Sequence, residues 1–326
     1  MTRAIRIHEH GGPEVLRWET ADPGAPGPGQ ALVRQTAAGL NFIDVYHRTG
    51  LYPVPTKPAI IGNEAAGVVE AVGEDVSGVR VGDRVAYCMS LGSYTERRVI
   101  DAARLVGVPD GISDQQAAAM MLKGCTVQYL VRRIYPVQPG DTVLIHAAAG
   151  GVGLIACQWA KHLGATVIGT VGTDEKAELA RTRGCDHPIV YTRESVVDRV
   201  KSLTDGAGVP VVFDSVGKDT FMDSLDCLRP RGLMVSYGNA SGPVEPFSPG
   251  VLAAKGSLFL TRPTLASYIG TREELEATTT DLFDVVTSGA VTVEISQSFA
   301  LEEAAEAHRA LEARQTTGST VFQIGD

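Results

Sequence analysis

The sequence predicts an α/β protein in two parts: a β-rich domain with a barrel-like or rolled sheet, and a doubly wound parallel sheet with helices. Three observations predict it. Short β-prone runs fill the first third at regular spacing, separated by turn clusters. From Thr142 onward strand and helix patterns alternate. The chain has 326 residues, enough for two ordinary domains.

The β-prone runs lie at 4–8, 31–36, 67–72, 84–87 and 94–100, with the clusters DPGAPGPGQ (22–30) and GEDVSG (73–78) among their separators. Ser113 then opens a helix: Gln116 stands three residues later, a capping-box spacing, and AAAMML follows. In the second part TVLIHA, TVIGTV, HPIV, VPVVFDS, GLMVSYG and SLFLT read as strands. GVGLIACQWAKHL, EKAELARTR and stretches near 195–204 and 219–228 read as helices. A last helix pair, opened by Thr271 with Glu274 in a second capping box and including LEEAAEAHRALEA, leads to the terminal strand STVFQI.

Composition narrows the function. Apolar residues are 44% and charged residues 21%, the balance of a globular chain, and the formal charge of -9 argues against a nucleic-acid partner. No secretory leader is expected in MTRAIRIHEHGGPEV. The most apolar stretch, 143–160, is interrupted by His146 and three glycines, so no membrane span is expected. Five scattered cysteines without a CxxC pair predict reduced thiols and a cytoplasmic protein.

HAAAGGVG (146–153) stands between a predicted strand and a predicted helix, the context a dinucleotide fingerprint requires. On G-x-G-x-x-G the first glycine is replaced by Ala148, and Gly150 and Gly153 fill the second and third places. The second admits a pyrophosphate to the backbone; the third lets helix and strand pack closely. The free amides of Gly151, Val152 and Gly153 would bind the phosphates. A plain tight turn is the alternative, and His146 itself reads as a packed or hydrogen-bonded core residue. Where an NAD site expects an acid, about 20 residues on, this chain has Gly172 and Thr173, then Lys176, one of seven lysines. A small residue beside a lysine suits a 2′-phosphate, hence NADPH. Asp174 serving a ribose, with Lys176 merely solvated, remains the other reading.

At full length the chain resembles the medium-chain dehydrogenases/reductases, and among them the zinc-free NADPH:quinone oxidoreductases related to zeta-crystallin. The resemblance is carried by HGGPEVL (10–16), GLNFIDVYHRTGLYP (39–53), GNEAAGVV (62–69), HAAAGGVGLIACQWAK (146–161), GTVGTDEK (169–176), FDSVGKDT (213–220), SLDCLRPRGLMVSYGNASG (224–242) and KGSLFLTRP (255–263). It implies a GroES-like catalytic domain (1–125 and 268–326) and a Rossmann NADPH-binding domain (126–267). The positions that hold catalytic zinc in metal-bearing relatives correspond to Asn41, Asn63 and Leu122, four before Thr126. None is a competent ligand, and the four-cysteine structural lobe is missing. Cys125 reads as a small buried hydrophobe.

The resemblance therefore implies a metal-free enzyme passing hydride directly from NADPH to a quinone, in a cleft between the domains. Asn41, Tyr46 and Tyr52 would position the substrate, with no obligatory acid or base. Tyr46 and Tyr52 are read as lying in a polar loop after the Asn41 turn. Asn41, Tyr46, Tyr129, Tyr191, Ser215, Tyr237, Gly238 and Arg314 join the glycine turn, Gly172, Thr173 and Lys176 as cofactor contacts. Asp44 is read as structural, paired with an arginine, and Glu64 as ordering its loop. The apolar run KGSLFLT is expected to be a sheet edge that pairs two copies into a homodimer. The alternatives are an NADPH-dependent alkenal or enoyl (C=C) reductase and a zeta-crystallin-like single-strand RNA binder. Without Tyr-x-x-x-Lys or G-x-S-x-G, a short-chain reductase and a serine hydrolase are set aside.

Overall fold

A computed structural model describes residues 1–325. It divides into two compact units, one of 1–125, 269–287 and the described residues from 293 on, the other of 126–268 and 288–292.

The first unit opens with β1 (Thr2–Ile7), β2 (Arg17–Ala21) and β3 (Gln30–Leu40), then a helix, α1 (Phe42–Thr49). β4 (Ala59–Ile60), β5 (Glu64–Val72), β6 (Arg84–Cys88), β7 (Arg97–Asp101), β8 (Val106–Gly107) and α2 (Asp114–Gln128) follow. The predicted cap of α2 is made both ways: Gln116 N donates to Ser113 Oγ at 3.1 Å and Ser113 N to Gln116 Oε1 at 3.0 Å.

The second unit holds β9 (Thr142–Ile145), α3 (Gly151–His162), β10 (Thr166–Val171), α4 (Asp174–Thr182), β11 (His187–Val190), α5 (Val196–Leu203), β12 (Val209–Asp214), α6 (Phe221–Cys227), β13 (Leu228–Ser236), α7 (Gly250–Ala254) and β14 (Phe259–Thr261). The chain then returns to the first unit with α8 (Arg272–Thr287), β15 (Ile295–Ala300), α9 (Ala304–Glu312) and β16 (Ser319–Gln323). Thr271 and Glu274 cap α8 as expected.

In the second unit six parallel strands run β11-β10-β9-β12-β13-β14. Every residue of the central β12 is buried, as a strand covered by helices on both faces requires. Strand order reverses between β9 and β12, where open α/β sheets bind ligands. In the first unit a seven-stranded sheet runs β15-β16-β3-β5-β6-β8, with β7 also on β3, beside a three-stranded sheet β2-β1-β4. The long β3 alternates buried and half-buried residues along most of its length, and β16 pairs with it antiparallel. The C-terminal segment thus completes a sheet begun near the N-terminus. Ile5, Val33, Tyr94, Leu301 and Phe322 share one core. No helix among the described residues is long and apolar enough to cross a membrane.

Candidate active site

The HAAAGGVG turn follows β9 at the point of reversal. Glycine is required there by contact. A Cβ on Gly153 would lie 2.2 Å from the Ala147 carbonyl oxygen and 2.8 Å from Ala148 backbone atoms; a Cβ on Gly150 would meet only the Ala147 oxygen, at 3.3 Å. α3 starts after Gly150 with no side-chain cap. Its first-turn amides, at Gly151, Val152 and Gly153, have no intrahelical acceptor, and the helix dipole adds positive potential there. These features fit a dinucleotide pyrophosphate.

A buried network behind the turn, missed in the sequence, holds it. Asp214, at the end of β12, accepts from the amides of Val216 (2.8 Å) and Gly217 (3.1 Å) and from the hydroxyls of Thr220 (2.7 Å) and Ser224 (2.8 Å). The Ser224 hydroxyl donates to Asp214, so its oxygen accepts from His146 Nε2 at 2.9 Å. His146 Nδ1 then accepts from the Thr170 hydroxyl at 3.0 Å, and that oxygen takes the Ala147 amide at 3.3 Å. Burial lowers the His146 pKa, in keeping with this neutral tautomer. The chain of bonds joins the ends of β12, β9 and β10 and supports Ala147 in a left-handed conformation (φ 54°). The strand-end aspartate of FDSVGKDT was the one visible signal of this network.

At the end of β10, Thr173 caps α4 by accepting from Lys176 N at 3.3 Å. Lys176 is half-buried in the first turn. Tyr191 is exposed, and its hydroxyl would lie 3.0 Å from a Cβ on Gly172, so a larger residue there would press on the ring. Asp174 is paired with Arg193, at 2.5 and 2.6 Å through two oxygens. Ser215, Tyr237 and Gly238 adjoin: a Cβ on Gly238 would fall 2.3 Å from the Ser215 oxygen, and burial pushes the Tyr237 phenol up. Tyr129 is buried and stacks on Tyr268, centroids 4.5 Å apart. All of these belong to the second unit; Asn41, Tyr46 and Arg314 belong to the first. Arg314 is exposed just past α9, with φ 57°.

The polar loop expected at 44–53 begins instead inside the helix α1. The Asp44 carboxylate accepts the Asn41 amide at 2.9 Å, closing its start, and Gly50 ends it at φ 84°. Tyr46 is therefore a buried helix residue, its ring 5.1 Å from that of the half-buried Tyr52 in an edge-to-face pair. Asp44 accepts from Asn63 Nδ2 (2.8 Å) and the Tyr94 hydroxyl (2.9 Å) as well, so its side-chain partners are an amide and a phenol where an arginine was expected. The arginine of α1, Arg48, is buried and instead pairs with Glu312 at 2.7 Å and meets His308 Nδ1 at 3.0 Å. His308 Nε2 stands 3.3 Å from the Tyr94 hydroxyl. Desolvation raises the Asp44 pKa to about 7, although its three hydrogen bonds oppose that. Desolvation first, and Arg48 second, lowers that of His308 to about 3.

Glu64 does more than order a loop. It is buried on β5 and accepts from Asn41 Nδ2 (2.8 Å), Lys123 Nζ (2.7 Å) and the Leu122 amide (2.7 Å). At the three positions aligned with zinc ligands, two amide nitrogens face carboxylates and the third residue is an alkyl chain. This donor set does not fit zinc.

The GroES-like domain of alcohol dehydrogenases matches residues 27–131, and the zinc-binding dehydrogenase family matches 151–284. A quinone oxidoreductase of Pseudomonas aeruginosa is 56% identical over 99% of both chains. A 2-haloacrylate reductase of a Burkholderia species is 48% identical over 99% of both. The crystal structure of Escherichia coli quinone oxidoreductase complexed with NADPH superposes with a TM-score of 0.97 at 49% identity, covering 98% of this chain and 99% of that one. With its reversal-point glycine turn and such similarity along its whole length, the chain belongs to the quinone oxidoreductase family of the medium-chain dehydrogenases/reductases.

Proposed function

We propose that the protein is an NADPH-dependent quinone oxidoreductase working without a metal. The observation that carries this is the pairing of a dinucleotide turn with a former zinc position occupied by Asn41, Asn63 and Leu122. NADPH, when bound, supplies hydride. The first-turn amides of α3 hold its pyrophosphate, and Thr173, Lys176 and Tyr191 its 2′-phosphate. Ser215, Tyr237, Gly238, Tyr129, Asn41, Tyr46 and Arg314 are the remaining contacts of this reading. Alcohol oxidation needs a proton drawn from oxygen as hydride leaves, which a metal assists. A quinone is already electrophilic and needs orientation and hydrogen bonds to its oxygens. Tyr46, Tyr52 and Asn41 position it, though Asn41 has one N–H engaged by Glu64.

The experiment is NADPH consumption with quinones, enals and haloacrylates under one set of conditions. Quinone turnover is the expected result. The 48% identical 2-haloacrylate reductase supports C=C reduction as a second reading, and good enal or haloacrylate turnover without quinone turnover would establish it. Single-strand RNA binding is opposed by the charge of -9, and a salt-dependent gel shift tests it.

Lys176→Ala should weaken NADPH by roughly 10- to 200-fold and NADH little, the value of one charge-assisted contact of about 1.5–3 kcal/mol. Equal losses for both cofactors would refute the 2′-phosphate role. Our reading includes a homodimer through β14, an edge strand whose Phe259 is 62% exposed. Light scattering should show a dimer at micromolar concentration and a monomer for Phe259→Lys; a monomeric parent protein would exclude it. The five buried free thiols suit the reducing cytoplasm.

A further inference from the structure

Lys123, on α2, is 5% exposed. Its ammonium has three N–H donors, and Glu64 Oε1, at 2.7 Å, is the one acceptor found for them among the described residues. Burying charge without full hydrogen bonding is costly, and a buried ion pair rarely stabilises a fold more than apolar packing would. Stability alone gives no reason for this lysine. Its neighbours supply one. The same Oε1 atom accepts from Asn41 Nδ2 at 2.8 Å, so the shared acceptor brings ammonium and amide side by side. The other Glu64 oxygen takes the Leu122 amide at 2.7 Å. Asn41 and Leu122 are two of the three positions aligned with zinc ligands. A fixed cation with further N–H donors therefore stands beside Asn41, one of the residues aligned with the metal ligands.

We propose that Lys123 binds the acceptor substrate, its open N–H groups donating to a carbonyl oxygen and its charge replacing the pull of a metal. This rests on the quinone-reductase reading and adds the group that polarises the substrate. Hydride brings two electrons and one proton to the quinone, and the negative charge that results collects on the oxygen facing Nζ. A second proton from water completes the hydroquinone, so Lys123 keeps its own. Glu64 holds Nζ in place and leaves the resting pair neutral. A lysine suits the task, since its ammonium is a compact point charge.

Lys123→Met keeps length and removes charge. Its kcat/KM for a benzoquinone should fall about 100-fold, the lower end for losing one preorganised donor. NADPH affinity, read from cofactor fluorescence, should stay within about threefold, because the ammonium faces the acceptor. A second readout needs no turnover. p-Nitrophenol is a phenolate mimic of the charged oxygen, and its ionisation is visible by absorbance. Bound to the parent protein, its apparent pKa should drop by about one unit or more; Lys123→Met should abolish the drop and Lys123→Arg restore part of it. Should Lys123→Met not fold, Lys123→Gln, which keeps a donor for Glu64, carries the same measurements. An unchanged phenol shift in the uncharged variant overturns the proposal, even where turnover falls, since that pattern marks a structural role. Absence of quinone turnover by the parent protein would instead defeat the functional reading, and the phenol titration would still decide Lys123.

Discussion

Gly153→Ala is expected to destabilise the protein and to weaken NADPH binding on the order of 100-fold, whereas Gly150→Ala should weaken cofactor binding alone. The difference lies in what each new methyl meets. At Gly153 it would sit 2.2 Å from the Ala147 carbonyl oxygen, an atom of the backbone that cannot rotate aside. The turn must move by about an ångström, and displacement on that scale costs on the order of 100-fold in a site that depends on position. Overpacking adds about 1–3 kcal/mol of lost stability, and the strained Ala147 leaves little room for relief. At Gly150 the nearest atom would be 3.3 Å away, so the fold tolerates the methyl. The methyl then occupies the surface a pyrophosphate must approach. Thermal unfolding and a fluorescence titration with NADPH separate the two effects. Normal binding by Gly153→Ala would remove this turn from the cofactor site.

The second expectation is a pair of opposite pH slopes. Stability falls with pH wherever the native state holds more protons than the unfolded chain, and rises where it holds fewer. Asp44 moves from 3.8 to about 7 on folding, so between these values the native state keeps a proton that the unfolded chain has lost. Its contribution is most favourable below pH 3.8 and declines by about 1.4 kcal/mol per pH unit up to about 7. His308 moves from 6.5 to about 3, so over that window the unfolded chain holds the extra proton and stability rises with pH. The two nearly cancel between about pH 4 and 6.5 in the parent protein. Asp44→Asn leaves the rising slope, for a gain of about 3 kcal/mol across that window; His308→Gln leaves a falling slope of similar size. Urea unfolding at four pH values reads both. Profiles parallel to the parent in both variants would show that neither group titrates as described.

Both cases show how far local patterns reach. The helix starts at Ser113 and Thr271 and the alternation after Thr142 were legible, because caps and strand periods are short-range. The helix α1 was not: GLYP follows it, and its polar residues suggested a loop. What makes them helical is burial of Asp44, Tyr46 and Arg48 against segments far along the chain. β2, β4, β8 and β15 were missed as well; two are only two residues long, and β15 is fixed by pairing with β16. The fingerprint turn was readable despite Ala148. The Asp214–Ser224–His146–Thr170 network and the convergence of Asn41 and Lys123 on Glu64 were not, since no spacing rule links residues brought together by sheet order.

The bonds of Arg48 to Glu312 and His308 bear on how the chain is made. Arg48 and Glu312 are 264 residues apart, and both β16 and α9 emerge last. At about 5–20 residues per second, translation leaves an interval of roughly 10–50 s between the two. Throughout it, Arg48 and the open edge of β3 lack their partners, while residues 126–268 form one unbroken stretch able to fold as they emerge. All six strands of the second unit's sheet are thus made before β15, α9 and β16 of the first unit exist. A ribosome stalled before residue 304 should carry a protease-resistant sheet of six parallel strands and an N-terminal segment open to cleavage.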